Sequence, residues 1–423
     1  MSDSASDRLF REGKYEEAAT QLRVGLKDQG ENGSDQLLYL LDLGLSLHAA
    51  GKYEESNKAF FEADKIAEIK DYTSLAAESA SLLTSDNLRD YKGEDFEKVL
   101  INTYLAINYA LMGDHENALV EARRVNRKLQ LMVSEGQRKY KQNAFARYLS
   151  AILYEADGNW NDAYVDYKLT YDLTPAYPGL GKDLYRLAWL TGDRDDMDKW
   201  TETFKLSAED QAQAKSLYSK QTGKSKVEPS EIIVIYENGI SPVKRPDPGF
   251  GSIPRFYARY NPVYAAKIEV RKLEATLAPP AVPLPVPASA AASTDSPVAV
   301  ADTYRLHDIE STATENLQEK WGGILAKKLA GVVAKQVLSK QVENVTHSPL
   351  LGALANIALY ASDQADVRSW NLLPRDLQIA RIQVAPGSYT VRALPQGAGA
   401  LPEKTIQVGP GKKAFVDFRY TPR

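Results

Sequence analysis

The chain has 423 residues, of which 43% are apolar and 26% charged, with a net charge of −4 and no cysteine. This composition excludes a wholly disordered chain, and the lack of cysteine excludes disulfides, thiol catalysis and cysteine metal sites. The small net charge gives no general attraction to nucleic acid or anionic lipid. No stretch reaches the ~20 apolar residues of a membrane span. At roughly 100–200 residues per domain, we expect two or three domains.

One helix-turn-helix phrase recurs in the N-terminal half. It reads GKYEEA at 13–18, GKYEES at 51–56, GDHENA at 113–118 and GNWNDA at 158–163. Its glycine can adopt the left-handed conformation that ends a helix, and the small residue five positions later lets the next helix approach closely. These phrases predict a stack of antiparallel helix pairs over residues 1–222. The sequence SAED, which resembles a capping box, predicts a closing helix at 207–220.

Strand patterns begin near residue 228. The β-branched sequence EIIVIYE at 231–237 stands before Asn-Gly, as a strand followed by a turn does. A weaker strand pattern covers 264–270. Four alternating segments follow near the C-terminus, at 377–384, 388–393, 404–408 and 413–420. The PG and GPG sequences between them predict hairpin turns.

The segment between these two groups of strands has two parts. Residues 278–300 contain six prolines and seven alanines, which is typical of an extended linker. From residue 312 a helical period returns. Its apolar stripe from Trp321 to Val337 either faces a core or, with the lysines opposite, lies on anionic lipid. The predicted divisions are a β domain made of 228–275 and 370–423, a linker at 276–302 and a helical insertion at 303–369.

The sequence offers no pattern for catalysis. Its four histidines lack the spacings of common zinc sites. A phosphate-binding loop around TGKS would need glycine at position 218, which is tyrosine. No GxSxG or GxGxxG sequence lies between a strand and a helix. We therefore predict no catalytic, cofactor-binding or metal-binding residue, no cofactor, and a protein that is not an enzyme.

Three groups of residues are candidates for binding a partner: the two described next, and Phe256, Tyr257 and Tyr260 of an aromatic loop. Arg123 and Arg124 either pair with charges across a groove of the array or belong to an exposed, salt-bridged helix face. Asp366, Arg368 and Trp370 form either a recognition edge, since arginine and tryptophan are frequent interface hot spots, or an anchored loop that joins the helical insertion to the sheet.

An aromatic loop at 246–262 suggests a different ligand. Phe250, Phe256, Tyr257 and Tyr260 lie within it. Such rings either stack on sugars or fill the junction between domains. Rings that are open in a cleft would favour a ligand, and rings packed against the helices would favour a scaffold.

The repeat phrases resemble the tetratricopeptide family. Three segments together are similar to a poorly characterised group of bacterial tetratricopeptide envelope proteins, typically lipoproteins: YKGEDFEK…NYALMGDHENALVEARR, EIIVIYENGISPVK and DVRSWNLLPRDLQIARIQVAPGSYTV. Together with the patterns above, the resemblance predicts an α+β fold, mostly α, in which a TPR-like α-solenoid precedes a small discontinuous β-sandwich-like domain with a helical insertion. It also implies export to the periplasm and an outer-membrane lipid anchor, although the lipidated cysteine of the family is absent from this chain.

Two functions remain open at this point. The first is a non-enzymatic periplasmic scaffold or adaptor that binds envelope proteins through its TPR-like groove and C-terminal domain, in envelope or peptidoglycan assembly. The resemblance implies small outer-membrane lipoproteins as partners, no nucleic acid, and membrane association only through a lipid anchor. The second is a module that binds a glycan or peptidoglycan fragment through the aromatic loop. The oligomeric state is left open.

Overall fold

The computed structural model describes residues 4–30, 33–77, 90–136, 143–216, 230–249, 253–273, 296–324, 340 and 365–422. Its helices are α1 (Ala5–Arg11), α2 (Tyr15–Gln29), α3 (Gln36–Ala49), α4 (Tyr53–Ala77), α5 (Asp95–Leu111), α6 (His115–Gly136), α7 (Ala144–Ala156), α8 (Trp160–Leu173), α9 (Pro178–Thr191), α10 (Arg194–Phe204), α11 (Ala208–Ser216) and α12 (residues 309–324). Its strands are β1 (Ser230–Asn238), β2 (Val243–Pro246), β3 (Pro254–Tyr257), β4 (Ala266–Lys272), β5 (Ala299–Asp302), β6 (Tyr304–Asp308), β7 (Asp376–Val384), β8 (Gly387–Pro395), β9 (Lys404–Val408) and β10 (Lys413–Tyr420).

Helices α1 to α10 form five successive pairs joined by short turns, as the repeats predict. The turn glycine of the second pair, Gly51, has a φ of 74°, which favours glycine over residues with a side chain. Within that pair, a Cβ on Gly44 would lie 2.5 Å from the ring of Phe60, so the two helices approach too closely for a larger residue. The predicted closing helix is present as α11, and residues 217–220 of that prediction lie outside the described residues.

The strands form two facing sheets and a short two-stranded ribbon. The first sheet has the order β10-β1-β7-β6, with β1 parallel to β10, and the second has the order β5-β4-β8-β9. Ile232, Val234 and Tyr236 of β1 share one buried core with Ile268 of β4 and Val391 of β8. Within the described part of the chain, strands β2 and β3 pair only with each other. The two four-stranded sheets therefore form a sandwich.

Two predicted hairpins are wrong. Strands β7 and β8 follow each other in sequence but lie in different sheets, and so do β9 and β10. The PG and GPG sequences carry the chain from one sheet to the other, because a turn sequence does not specify which strand its neighbour will pair with. Four strands were also missed: β2 just before the aromatic loop, β3 within it, and β5 and β6 in the predicted linker and helical insertion. Each has only four or five residues, too few for a clear alternation.

The first sheet is covered on both faces. All nine residues of β1 are buried. Ile233 and Ile235, which point away from the sandwich, belong to the same core as Leu41 of α3, Tyr104 of α5 and Leu149 of α7. These are the first helices of their pairs, so we call the surface formed by α3, α5, α7 and α9 the first-helix face. The first sheet of the sandwich packs on this face.

The described helices include none that is both long enough and apolar enough to cross a lipid bilayer. The predicted amphipathic stripe from Trp321 to Val337 can be compared only over its first residues. Trp321 and Ile324 lie in α12, and residues 325–337 lie outside the described residues. Ile324 packs against the main core. This part of the stripe therefore follows the core-facing alternative.

Candidate functional site

Two buried charged clusters lie where the first sheet meets the first-helix face. Residues of β1 with odd numbers point towards the helices, because successive side chains of a strand alternate between faces. The acids at the two ends of the strand, Glu231 and Glu237, therefore enter the helical side, and both are buried. We call the groups around them the Glu231 cluster and the Glu237 cluster.

The Glu231 cluster is organised by Arg381 of β7. Its Nη2 donates to Glu231 Oε2 at 2.6 Å, and its Nη1 donates to Asp183 Oδ1 at 2.9 Å and to the Tyr167 hydroxyl at 2.8 Å. A longer bond of 3.3 Å joins Nη2 to Glu155 Oε2. The cluster contains three acids and three bases, namely Glu155, Asp183, Glu231, Arg186, Arg381 and Lys413. It joins β1, β7 and β10 to α7 and α9.

Opposite charges lower the pKa of both glutamates of this cluster, Glu155 and Glu231. Burial alone would raise the pKa of Glu231, but Arg381 and Lys413 lower it to about 2. Arg186 donates from Nε to Glu155 Oε1 at 2.7 Å. Burial would lower the pKa of Arg186 and of Arg381, but the neighbouring acids raise both above their usual value. Buried charges are tolerated when each is paired and hydrogen-bonded. The cluster therefore fixes the position of the sheet on the helices.

The Glu237 cluster is organised by His48 of α3. The Nε2 atom of His48 donates to Glu237 Oε1 at 2.7 Å, and Nδ1 donates to Asn108 Oδ1 at 2.5 Å. The Asn108 oxygen acts as the acceptor because the amide nitrogen of that residue donates to Ser56 and Asn57. Both ring nitrogens of His48 are donors, which describes an imidazolium ion.

Two further cations and two tyrosines complete this cluster. Glu237 accepts from the Tyr104 hydroxyl at 2.8 Å and from Arg419 Nη1 at 3.3 Å. Asp417 of β10 lies 3.7 Å from His48 Nε2. It accepts from the Tyr53 hydroxyl at 3.1 Å and from Lys404 Nζ at 2.6 Å.

His48, Glu237 and Asp417 also meet a geometric condition for a metal site. Their candidate ligand atoms lie within 4.8 Å of one another. However, Nε2 of His48 already directs its proton at Glu237, and Arg419 and Lys404 neutralise the two carboxylates. A divalent cation would have to displace that proton and stand beside two positive side chains. The donor set therefore fits an ion-pair network better than a metal centre.

The state of His48 gives a pH-dependent prediction. Burial favours the neutral ring, but Glu237 and Asp417 outweigh it and raise the pKa of His48 above its usual 6.5. Its contribution to stability is therefore complete below pH 6.5 and is lost as pH rises through the folded pKa, with ~1.4 kcal/mol for each tenfold gain in proton affinity on folding. We expect urea unfolding to show that the wild type loses stability over this range relative to His48→Gln. His307, whose pKa burial lowers to about 4, is present in both proteins and cancels in the difference. A difference that stays constant from pH 6 to 9 would show that His48 is neutral.

Arg123 and Arg124 lie on α6, away from the first sheet. Arg124 Nη1 is 3.2 Å from Glu121 Oε1 within the same helix. The guanidinium of Arg123 lies 5.7 Å from the ring centre of Tyr154. The exposed, salt-bridged face is therefore the better description of these residues. The first sheet occupies the first-helix face, so that face is not open to a partner. Partner binding by Arg123 and Arg124 stays a prediction.

Asp366, Arg368 and Trp370 behave as an anchored loop. Arg368 donates to Asp366 from Nε at 2.9 Å and from Nη2 at 2.8 Å, and its Nη1 reaches Asp35 at 2.8 Å, just before α3. Trp370 is 1% exposed. Its backbone amide donates to Glu97 Oε1 at 2.7 Å. The recognition-edge alternative is not supported, because these groups already bind the helices of the same chain.

The aromatic loop separates into buried and exposed rings. Phe256 is 8% exposed and belongs to the main core, and Tyr257 is half-buried. Tyr260 is 82% exposed. Tyr264, which the sequence pattern placed in a strand and not in the aromatic loop, is also mostly exposed. Phe250 lies outside the described residues. The buried ring of Phe256 favours the scaffold, whereas the exposed ring of Tyr260 is compatible with binding a glycan.

Most members of the two buried clusters were missed by sequence reasoning. One signal was present in EIIVIYE, which has an acid at each end of an apolar strand. Both acids have odd numbers, so they point to the same face of the strand as Ile233 and Ile235. An acid with core-facing parity needs a buried partner. The partners in α3, α7 and α9 are far away in sequence, and nothing local marks them.

The opposite side of the array has exposed apolar and basic side chains. We call the outer surface of α2, α4, α6 and α8 the second-helix face. Its exposed large apolar residues are Val24, Phe61, Val120, Leu131, Val165 and Leu169. A cavity of about 290 Å³ between α4 and α6 is lined by Phe61, Asp64, Lys65, Glu68, Arg124, Arg127 and Lys128. Asp64 is neutralised by Lys128 at 2.6 Å, so the cavity is basic on balance.

No family model and no curated protein matches the chain. Several solved structures are similar to part of it. A crystal structure of MamA shares 14% identity, with a TM-score of 0.33, over 50% of this chain and 96% of MamA. MamA from Desulfovibrio magneticus RS-1 shares 16%, with a TM-score of 0.31, over 47% and 87%. The TPR-like repeats of a putative kinesin light chain from Podosopora anserina share 14%, with a TM-score of 0.33, over 49% and 92%. Likenesses at these TM-scores are too weak to support an argument about function.

Proposed function

We propose that this protein is a non-catalytic scaffold that binds another protein through its second-helix face. One observation carries the proposal: the first sheet covers the first-helix face, whereas the second-helix face exposes apolar side chains among cations. Its setting in the bacterial periplasm, with an outer-membrane lipid anchor and small outer-membrane lipoproteins as partners, rests on the sequence resemblance alone. A role in envelope or peptidoglycan assembly has the same basis.

The chemistry of the second-helix face defines the kind of partner. Lys65 and Arg127 have no salt-bridge partner among the described residues. Phe61 stands beside them with an exposed ring, and burying such a ring contributes ~1.5–3 kcal/mol. Complementary charge steers association and suppresses wrong partners. The partner segment is therefore acidic, with at least one apolar side chain that contacts Phe61.

In-cell photo-crosslinking tests this proposal. We would place a photo-reactive residue at position 62, next to Phe61 on the exposed side of α4. A discrete crosslinked species is expected, and the pair Arg124→Glu and Arg127→Glu should reduce its yield at least tenfold, because the pair reverses the charge of the cavity. The matched control reverses two exposed arginines elsewhere, Arg194→Glu and Arg245→Glu, and should leave the yield within twofold.

A crosslink that is insensitive to the charge reversal would contradict the second-helix face as the site.

The exposure of Tyr260 favours the alternative of glycan binding, and sedimentation with purified peptidoglycan distinguishes the two. Binding that is lost in Tyr260→Ala but retained in Arg124→Glu/Arg127→Glu would replace the scaffold with a glycan-binding module.

A further inference from the structure

A cavity of about 610 Å³ lies between α9 and the sandwich. One wall is a single stripe of α9, made of Pro178, Gly179, Lys182, Asp183 and Arg186. The other wall is Ala380–Gln383 of β7 together with β5. The eight steps from Pro178 to Arg186 rise about 12 Å along the helix axis, the length of three to four residues of extended chain. The cavity is therefore a slot with the dimensions of a short peptide.

The β7 wall of this slot includes a stretch of strand edge that is not hydrogen-bonded to another described strand, although β5 runs beside it. Strand β1 pairs with β7 along its whole length, from Asp376 to Val384. On the other edge, β6 pairs only with residues 376–379. Among the described residues, no strand pairs with residues 380–384 on that edge. The backbone groups of an open edge are a template for an added strand.

Arg186 supplies an unsatisfied donor to the same slot. Its Nε and Nη2 donate to Glu155 and Asp183, whereas Nη1 has no partner among the described residues. The side chain lines the cavity, and Nη1 is not among the buried side-chain atoms that lack a partner, so this atom is accessible from the slot. An acceptor on a ligand would complete the hydrogen bonds of the guanidinium.

The first turn of α9 can offer the backbone N–H of Gly179 at the other end of the slot, because Pro178 has no N–H and Leu180 donates to the Tyr177 carbonyl at 3.2 Å. Its N-cap residue, Tyr177, makes no side-chain capping bond. The positive end of a helix dipole favours an acceptor or a negative group there. The ring of Tyr177 stacks on Tyr304 with centroids 4.7 Å apart and closes this end. The slot thus offers hydrogen-bond donors at two points separated by the length of α9 that lines it.

We infer that this slot binds a short extended peptide segment, which adds a strand to β7 and places a carbonyl or carboxylate oxygen on Arg186. A small free anion fits less well. The three acids and three bases of the Glu231 cluster cancel, and Arg381 uses its donors within the cluster. The unsatisfied groups are mainly those of the backbone edge, which another backbone complements. The inference does not depend on the second-helix face.

A tetrapeptide library with free carboxyl ends, offered to the full chain, tests the inference. We expect saturable binding by calorimetry, and slower hydrogen exchange, when a peptide is bound, at those amides of residues 380–384 that point away from β1. Val300→Trp should weaken the best peptide at least tenfold, because Val300 lines the slot from β5 and an indole would fill it. The matched control is Val298→Trp, an equally exposed position outside the slot wall, which should change affinity less than twofold.

A second variant tests the role of Arg186. Arg186→Lys keeps the positive charge beside Glu155 but removes Nη1, so it should weaken the peptide about tenfold while Val298→Trp does not. The absence of saturable binding by any library member would overturn the inference. So would binding that Val300→Trp leaves unchanged, or binding without protection of residues 380–384. A free phosphate or acetate that competes with the peptide at equal affinity would replace it with a simple anion site.

Discussion

Replacing Arg381 by methionine lowers the free energy of unfolding by about 3–5 kcal/mol, the usual cost of removing one partner from a buried ion-pair network. The reason is the charge left behind. Glu231, Glu155 and Asp183 stay buried beside Arg381's former position, with Arg186 and Lys413 as the remaining bases. Urea unfolding followed by circular dichroism measures the loss. Arg245→Met removes an exposed arginine from β2 and should change stability by less than about 0.5 kcal/mol.

A double variant separates the charge effect from the loss of packing. Adding Glu231→Gln to Arg381→Met removes the acid that Arg381 contacts most closely. We expect the double variant to be more stable than the sum of the single changes, since residues of one network do not behave additively. A loss below about 1 kcal/mol for Arg381→Met would mean that water reaches the cluster and that it does not hold the sheet on the helices.

Trp370→Ala is expected to cost a similar amount, about 3–5 kcal/mol. The indole packs against Phe60 and Tyr104, with ring centres 5.7 Å and 5.9 Å away. Its removal leaves a cavity at the point where the loop after residue 364 meets α4 and α5. Thermal unfolding measures the effect, and Tyr260→Ala, which truncates an exposed ring, should shift the midpoint little.

This variant also decides between the two interpretations of the loop. An anchored loop predicts a large loss of stability and an unchanged crosslink at position 62. A recognition edge predicts wild-type stability with reduced partner binding. The second outcome would contradict the packing described above.

The sequence predicts features that depend on residues close together in the chain, and it misses features that depend on residues far apart. The turn at Gly51 is encoded within a few residues, because a positive φ and a small helix contact are local requirements. The pairing of β7 is not encoded locally. A strand that alternates and ends in PG is compatible with a hairpin, and only the packing of two whole sheets decides against it. The same holds for the candidate site. Arg123 and Arg124 could be found as a basic pair on a helix, whereas the contact of Arg381 with Asp183 joins residues 198 apart.

The parallel pairing of β1 with β10 has a consequence for synthesis on the ribosome. The contact of Glu231 with Lys413 spans 182 residues. The helices up to α11 are complete at Ser216, but the strands that flank β1 follow only at residues 376–384 and 413–420. At ~5–20 residues per second, the helices wait roughly 10–40 s for β10. During this interval their apolar first-helix face has no sheet to cover it, so a nascent chain stalled before residue 413 is the form of this protein most in need of a chaperone.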